Sequence, residues 1–270
     1  MNNRPFDHIA NQYDDQFTQT KVGLLQRERV YALLEDLMDR HSIQQVLEVN
    51  CGTGEDACWL AQKGKRVLAT DQSATMIEVA RQKAHNLVSE ATGSPNFAVC
   101  NLEELAHLDL DWPADLLLSN FGGLNCLDAT ALQKWSEAAA DKLRPGGFLA
   151  AIVMGRFCAW ETLYFSLKGQ WKQARRRQSQ EAVQAPLAEG VHIPVWYYRP
   201  KQFAQFFSPQ FDLQQIRPIG FALPPSYLDP FFQKRPALLN LLHRLEKGMA
   251  NQAFWAGGAD HFWLLLQKRA

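Results

Sequence analysis

The segment that decides the fold is VLEVNCGTGED, which runs from Val46 to Asp56. It opens with a short apolar run that is typical of a buried strand. Gly52 and Gly54 follow, and glycine lets the main chain turn sharply and lets a ligand approach it closely. Apolar residues at helical spacing come next. The segment therefore predicts a strand, a glycine-rich turn and a helix N-terminus, whose unpaired N–H groups form a site for a nucleotide-sized ligand.

Two kinds of nucleotide ligand are compatible with this turn. The pattern Gly52-x-Gly54-x-x-Ala57 satisfies the loose dinucleotide fingerprint G-x-G-x-x-G/A. Glu48, however, lies inside the strand just before the turn. A carboxylate there disfavours a pyrophosphate and favours a ligand that carries an ammonium group.

The next segments have the spacing of a repeating strand–helix unit. KRVLATD, residues 65–71, predicts a second strand that ends in the carboxylate of Asp71. A carboxylate at such a tip can accept hydrogen bonds from both hydroxyls of a ribose. Ser73 is a candidate N-cap for a helix near 74–90, and a further helix is predicted at 129–142. Strands that alternate with helices predict a doubly wound parallel sheet.

Taken in order, these segments resemble the motifs of the class I S-adenosylmethionine-dependent methyltransferases. The strings TDQSATM at 70–76 and LRPGG at 143–147 carry much of the resemblance, which covers residues 1–155 well and 195–220 loosely. It implies an α/β fold with a Rossmann-like, doubly wound seven-stranded sheet whose last strand is antiparallel. It also implies S-adenosyl-L-methionine as cofactor and S-adenosyl-L-homocysteine as product. The family usually has glycine where this chain has Asn50, and asparagine is the side chain that best tolerates left-handed backbone angles.

The resemblance also assigns the cofactor site. Asp71 is expected to hold the ribose, and Gln72 and Met76 are expected near the adenine. Tyr13, in the opening segment FDHIANQYD, is expected near the sulfonium, which an aromatic face stabilises by about 0.5–2 kcal/mol; the alternative is that it packs with Phe6 and Ile9. The full set of expected cofactor residues is Tyr13, Glu48, Asn50, Cys51, Gly52, Gly54, Asp71, Gln72, Met76, Asn101, Leu102, Asn120 and Phe121.

The chain divides near residue 155. Residues 1–155 are expected to form the cofactor-binding core with an N-terminal helical segment, and 156–270 the late strands of the same sheet. Two insertions near 156–192 and 222–258, rich in aromatic residues and proline, are expected to form an α-rich lid above the methyl donor. Such a lid favours a mostly apolar acceptor pocket; the alternative is a small second core.

No catalytic residue is assigned from the sequence. Methyl transfer mainly requires the nucleophile and the methyl carbon to be held in line at about 3 Å, and only some acceptors need a base. The weak candidates for such a base are His192, Tyr197, Tyr198 and His261, with His8 and Tyr227 behind them. The basic run from Lys172 to Arg177 is either a solvated helix face or a site for an acidic group.

Composition narrows the class of partner. The chain has 270 residues, 28 basic and 28 acidic side chains and no net charge, which argues against a nucleic-acid partner. Its five cysteines are scattered and fit neither a zinc site nor a disulfide framework, so we expect no metal, reduced thiols and a cytoplasmic location. No signal peptide is expected, and no apolar run reaches the roughly 18–20 residues of a membrane span.

The sequence thus predicts S-adenosylmethionine-dependent methyl transfer to oxygen, nitrogen or carbon of a small, partly apolar or aromatic molecule. Two alternatives stay open. One is a nicotinamide-dependent oxidoreductase, for which Tyr164–Lys168 and Tyr197–Lys201 have the Tyr-x-x-x-Lys spacing, although the second pair spans Pro200. The other is a non-catalytic protein that binds S-adenosylmethionine.

Overall fold

A computed structural model describes residues 4–87 and 93–269. Its strands are β1 (Gln45–Val49), β2 (Arg66–Asp71), β3 (Asn96–Val99), β4 (Ala114–Ser119), β5 (Leu143–Met154), β6 (Val183–Ala188), β7 (Val191–Val195), β8 (Phe211–Ile219) and β9 (His261–Lys268). Its α-helices are α1 (Lys21–Arg40), α2 (Glu55–Gln62), α3 (Ala74–Leu87), α4 (Ala129–Lys142), α5 (Ala159–Leu167), α6 (Trp171–Ala174), α7 (Pro200–Gln205), α8 (Asp229–Gln233) and α9 (Pro236–Met249).

A seven-stranded sheet organises the molecule, in the order β3-β2-β1-β4-β5-β9-β8. Strands β1 to β5 pair in parallel, whereas β9 runs antiparallel to both β5 and β8. The predicted doubly wound sheet with an antiparallel last strand is confirmed. The order reverses at β1, where β2 lies on one side and β4 on the other, and open α/β sheets bind ligands at such a point.

The central strands are buried on both faces because helices cover both sides of the sheet. All six residues of β4 are buried, including polar Asp115 and Ser119, as expected for a central parallel strand that is covered on both faces. One face packs against α4 and α7, through side chains such as Trp135 and Phe203. The other packs against α1 and α2, through side chains such as Leu34 and Leu60. The sheet is therefore a rigid platform for whatever binds at its edge.

Helix α1 begins at Lys21 because the side chain of Thr20 accepts a hydrogen bond from the amide of Gly23. The predicted helix at 129–142 is observed as α4, with Asp128 as its N-cap. The helix predicted near 74–90 is observed as α3 as far as Leu87, and residues 88–90 lie outside the described residues. None of the described helices combines the length and apolar character that a membrane crossing requires.

The region after residue 155 is less helical than the expected α-rich insertions. Helix α5 ends near Gly169, whose positive φ of 69° breaks the helical path, and α6 is only one turn long. Residues 183–195 then form the two-stranded hairpin β6–β7. The second insertion, with α8 and α9, packs through Leu228, Phe232 and Leu239 onto Val22 of α1.

Candidate functional site

A pocket of about 370 Å³ opens at the carboxyl edge of the sheet, beside the reversal in strand order. Most of the residues expected to bind the cofactor line it, although they come from five separate parts of the chain. Those lining residues are Tyr13, Asn50, Gly52, Asp71, Gln72, Met76, Asn101, Leu102, Asn120 and Phe121.

The glycine-rich turn forms the floor of this pocket. Asn50, Gly52 and Gly54 all have positive φ, at 50°, 55° and 75°. The left-handed turn thus survives with asparagine at its first position. The Asn50 carboxamide is held firmly, because its Oδ1 accepts a hydrogen bond from Ser119 at 2.7 Å and its Nδ2 donates to the carbonyl of Asn120 at 2.9 Å.

Asp71 joins the turn to the tip of β2. Its carboxylate accepts hydrogen bonds from the backbone amides of Gly52 at 3.0 Å and Ser73 at 2.9 Å. Burial raises the pKa of Asp71, and these two hydrogen bonds act against that shift. The structure thus places an oriented, largely buried carboxylate at the wall of the pocket, where a hydroxyl donor of a ligand can meet it.

The end of β4 forms the opposite wall through a strained turn. Phe121 has a positive φ of 45°, which is rare for a bulky side chain. It lies between two partners, with the guanidinium of Arg27 at 4.9 Å over its ring and the ring of His261 edge-on at 5.5 Å. Arg27 pairs with the buried carboxylate of Asp56, which also accepts a hydrogen bond from Asn120 at 2.7 Å.

The N-terminal cover, residues 5–18, closes one side of the pocket. Tyr13 lies over the glycine turn, since a Cβ added to Gly52 would be 3.8 Å from its ring. Burial raises the pKa of Tyr13 to about 12, so its hydroxyl stays protonated at neutral pH. Asp14 fastens this cover by accepting a hydrogen bond from Thr53 at 2.6 Å and by pairing with Lys83 at 2.7 Å.

The far end of the pocket is apolar. It is lined by side chains that follow β4, end β5 or belong to the hairpin, namely Cys126, Leu127, Met154, Ile193, Pro194 and Val195. Burial raises the pKa of the Cys126 thiol to about 11. This end therefore offers no group that is charged at neutral pH.

The expected α-rich lid differs from the structure in what covers the pocket. The lining residues include the end of the β6–β7 hairpin and Pro5 and Phe6 of the N-terminal cover. No described residue of 156–192 or 222–258 is among them. The helices of these insertions pack elsewhere because their apolar side chains meet α1 and the turn after β8. The β6–β7 hairpin, most of which belongs to the first insertion, ends at the pocket, and a lid above the methyl donor stays a prediction.

Three of the expected cofactor residues lie near the pocket without lining it. Glu48 is buried in β1 and Cys51 packs into the core on the α1 side of the sheet. Gly54 is the N-cap of α2, and a Cβ added there would lie 2.8 Å from Cβ of Ala80. Gly54 thus provides close helix packing at this position.

The weak candidates for a base do not meet at the pocket. His192 is exposed on β7, and Tyr197 lies under the guanidinium of Arg177 at 5.2 Å. Tyr198 is buried and donates a hydrogen bond to the carbonyl of Leu127. His261 lies behind Phe121, with its Nδ1 3.3 Å from a carboxylate oxygen of Asp260. None of these four side chains is among the lining residues of the pocket, whereas Ile193, Pro194 and Val195 of the same segment are, and the assignment of a base stays a prediction.

His8 and Tyr227 are likewise not among the lining residues. His8 ends the first turn of the N-terminal cover, and the ring of Tyr227 packs against Tyr164 and Phe165.

Several site residues had no sequence signal of their own. Arg27 is one of many polar residues on an amphipathic helix, and Cys126 and Met154 lie outside the recognisable motifs. The positive φ of Phe121 is followed by Gly122 and Gly123, and that pair of glycines was the available hint of a tight turn. Only the folded chain brings these positions together.

Comparison with known proteins agrees with this geometry. Residues 46–147 match the family model of a methyltransferase domain. The tRNA 5-carboxymethoxyuridine methyltransferase of Escherichia coli (strain K12) is 29% identical over 154 residues, 56% of this chain and 56% of that protein. Glycine N-methyltransferase of Mus musculus is 32% identical over 131 residues, 44% of this chain and 43% of that protein. The chain thus spans about half the length of the curated relatives it matches.

Solved structures share the fold over nearly the whole chain. The CcbJ methyltransferase from Streptomyces caelestis superimposes with a TM-score of 0.62 at 16% identity, over 98% of each chain. A SAM-dependent methyltransferase from Methanosarcina mazei gives a TM-score of 0.56 at 17% identity, over 85% of this chain and 94% of that one. At such identities the likeness establishes the fold alone.

Proposed function

We propose that this chain, whose residues 46–147 match the model of a methyltransferase domain, is a class I S-adenosylmethionine-dependent methyltransferase that methylates a small apolar or aromatic acceptor group. The observation that carries the proposal is the pocket itself, which has a polar, carboxylate-bearing end at Asp71 and an apolar end at Cys126 and Met154. A nucleoside fits the first end and an acceptor group the second.

The residues beside the glycine turn fit the amino-acid part of this cofactor. Oε2 of Glu48 and Nε of Arg27 are buried and have no hydrogen-bond partner within the described residues. Burial raises the pKa of Glu48 well above its ordinary value, so an ammonium group beside Oε2 would stabilise its ionised form. A carboxylate beside Nε of Arg27 would satisfy that buried donor. An ammonium and a carboxylate on one ligand would supply both, and S-adenosylmethionine carries both.

The nucleoside part would be held by Asp71 and by the residues after β2 and β3. The carboxylate of Asp71 accepts one hydrogen bond from each of two backbone amides, and its remaining acceptor capacity is available to a ligand in the pocket. Gln72 is positioned by Arg4, whose guanidinium donates to its side-chain oxygen at 3.2 Å. Leu102 and buried Met76 supply apolar surface for a flat base.

When bound, S-adenosylmethionine supplies an activated methyl group on a sulfonium sulfur. The chain's own part is to position the acceptor and to exclude water. Cys126 and Tyr13, with pKa values of about 11 and about 12, cannot take up a proton as thiolate or phenolate at neutral pH. The apolar end of the pocket suits an acceptor atom that is nucleophilic without a thiolate or phenolate base, such as a neutral amine nitrogen.

The relatives do not decide the acceptor. One is named for a tRNA nucleoside and another for glycine. The apolar lining supports a small molecule or a small acceptor group of low polarity. All five cysteines are free, which supports the proposed cytoplasmic location.

The oxidoreductase alternative is disfavoured by the positions of its tyrosines. Tyr164 packs against Phe165 and Tyr227, away from the pocket, and its hydroxyl contacts Lys168. Tyr197 precedes α7, so it shares no helix with Lys201. Neither pair reaches the glycine turn.

Calorimetry with S-adenosylmethionine, S-adenosylhomocysteine and NAD tests the proposal directly. We expect the first two to bind and NAD not to bind. Asp71→Ala should weaken S-adenosylmethionine binding about 30-fold or more, since each hydrogen bond to a charged group contributes roughly 1.5–3 kcal/mol. Asp111→Ala, at an exposed carboxylate, is the matched control and should leave the affinity unchanged.

Preferential NAD binding, or equal S-adenosylmethionine affinity in Asp71→Ala and the parent chain, would overturn the assignment. A turnover assay with candidate amines then separates an enzyme from a protein that only binds the cofactor. Binding without methyl transfer to any acceptor would favour the non-catalytic alternative.

A further inference from the structure

A second, larger groove lies beside the ends of β5 and β9, apart from the cofactor pocket. It has a volume of about 1070 Å³ and is open to solvent. Its walls come from the turn after β5, the segment before β6, the start of α7 and the turn before β9. The residues that the argument uses are Arg156, Phe157, Arg199, Lys201 and Phe254.

The groove is positively charged although the chain as a whole is neutral. Arg156, Arg199 and Lys201 line it, and no carboxylate is among its described lining residues. Arg156 donates a hydrogen bond to the carbonyl of Gln178 at 2.9 Å, which fixes its direction without neutralising it. Arg199 and Lys201 are exposed, and neither pairs with an acidic side chain in residues 4–87 and 93–269. Three uncompensated cations in one groove favour a polyanionic ligand.

Two aromatic side chains in the same groove are exposed to solvent. Phe254 is 82% exposed and Phe157 is 41% exposed. A solvent-exposed aromatic ring beside cations resembles the sites that bind single-stranded nucleic acid. The bases of such a strand have apolar faces that stack on aromatic rings, and its phosphate backbone is anionic. An acidic polypeptide would use the cations but would gain little from flat aromatic faces.

The groove continues toward the cofactor pocket. A hollow between them shares Arg156 and Gln180 with the groove. It is also lined by Trp196, which directly follows Val195 of the cofactor pocket. The one carboxylate of this hollow, Asp128, accepts the backbone amide of Ala131 at 2.8 Å as the N-cap of α4. A polymer in the groove would thus lie at the same edge of the sheet as the proposed reaction.

We propose that this groove binds single-stranded nucleic acid, with Arg156, Arg199 and Lys201 against phosphates and Phe254 and Phe157 stacked on bases. The inference goes beyond the proposed methyl transfer and does not need it. It departs from the expectation drawn from net charge, because a bound polymer responds to the local field of the groove and not to the sum over the chain.

Fluorescence anisotropy with a labelled oligouridylate of about 12 nucleotides tests the proposal, at salt concentrations from about 50 to 200 mM. Neutralising three phosphates predicts a slope of about −2 for log K against log salt, since each contributes about −0.7 on a single strand. Arg199→Gln combined with Lys201→Gln should reduce the slope to about −0.7. Phe254→Ala should weaken binding about tenfold and leave the slope unchanged.

Lys21→Gln combined with Lys234→Gln removes two exposed cations outside the groove and is the matched control. Calorimetry of every variant with S-adenosylhomocysteine, the product of methyl transfer from S-adenosylmethionine, measures binding at the cofactor pocket separately. Failure of this inference and failure of the proposed function can therefore be distinguished. The proposal is overturned if the oligonucleotide does not bind at low salt, or if the control pair weakens binding as much as the groove pair. It is also overturned if polyglutamate of equal length binds as tightly and Phe254→Ala has no effect, which would indicate an acidic protein partner.

Discussion

The side chain of Asn50 fills the space directly against Gly123. A Cβ added to Gly123 would lie 2.0 Å from Cγ of Asn50, far inside van der Waals contact. The Asn50 carboxamide cannot easily move away, because Ser119 and the carbonyl of Asn120 hold it on both sides. Asparagine at the first position of the turn and glycine at 123 are therefore one coupled arrangement.

This coupling predicts strong non-additivity between two substitutions. Gly123→Ala alone should destabilise the fold by about 1–3 kcal/mol through overpacking. In an Asn50→Gly background the same substitution should cost much less, because the colliding carboxamide is gone. Urea denaturation of both single variants and the double variant measures the interaction term.

Gly248→Ala is the control for this cycle, since an added Cβ there meets nothing within 4 Å. It lies in α9 and should be neutral or slightly stabilising. An additive cycle at Asn50 and Gly123 would show that the loop relaxes freely and that the two residues are not coupled.

The ion pair of Asp14 with Lys83 predicts a second effect, on the N-terminal cover. Asp14→Asn keeps an oxygen for Thr53 but removes the charge that Lys83 meets at 2.7 Å. The cover should open more often, so amide exchange in residues 10–18 should accelerate and S-adenosylhomocysteine should dissociate about tenfold faster. Asp15→Asn, at the exposed neighbouring carboxylate, should change neither quantity. Equal effects of both substitutions would assign the change to net charge.

The same carboxylate gives the cover a pH dependence. Burial would raise the pKa of Asp14, but hydrogen bonds and the charge of Lys83 outweigh it and hold the pKa below its ordinary value of about 3.9. The docked cover thus binds fewer protons than the open one, so its stabilisation is complete above that ordinary value and is lost as the pH falls through the lowered one. Asp7 has a lowered pKa as well, because hydrogen bonds from Ser73 and Arg4 outweigh its burial.

Hydrogen exchange of residues 5–18 between about pH 5 and pH 3 tests this, after correction for intrinsic rates. Protection should fall as the medium becomes more acidic, and the fall should be smaller in Asp14→Asn. Protection that stays constant, or that increases toward acid, would contradict the sign of the shift.

The buried triad of Arg177, Glu161 and Asp260 predicts the largest loss of stability. Arg177 contacts Glu161 at 2.9 Å and Asp260 at 2.7 Å, and all three side chains are nearly inaccessible to solvent. Arg177→Met should destabilise the fold by about 3–5 kcal/mol, because it removes the guanidinium that two buried carboxylates share and leaves Glu161 with Arg176 alone. Thermal and urea denaturation measure this. Arg175→Gln, at an exposed position of the same basic run, should stay within about 0.5 kcal/mol.

The triad also bears on the basic run from Lys172 to Arg177, for which the sequence left open a solvated helix face or a site for an acidic group. Arg176 and Arg177 both donate to Glu161, so these two guanidinium groups are held by the chain's own carboxylate. Only contacts across the fold could show this, since Glu161 and Asp260 are far apart in sequence. A small loss of stability in Arg177→Met would indicate that the triad is replaceable by apolar packing.

The sequence by itself indicated a doubly wound sheet with an antiparallel last strand and a glycine-rich turn at the end of its first strand. Strand, turn and helix signals are local, and a buried apolar strand followed by Gly52 and Gly54 specifies its own geometry. The position of Asp71 at this edge of the sheet was also predictable, because the carboxyl ends of parallel strands meet at the same edge. Asn50 kept the turn because its side chain tolerates a positive φ.

Tertiary structure alone decided what covers the pocket and what borders it. The aromatic helices after residue 155 had the composition of a lid, yet they pack against α1 while the β6–β7 hairpin and the N-terminal cover face the pocket. The charged groove arose in the same way, since Arg156, Arg199 and Lys201 come from separate segments of a chain with no net charge. Local patterns fix elements, but contacts between distant segments depend on which surfaces fit, and that information is not contained in any one stretch of the chain.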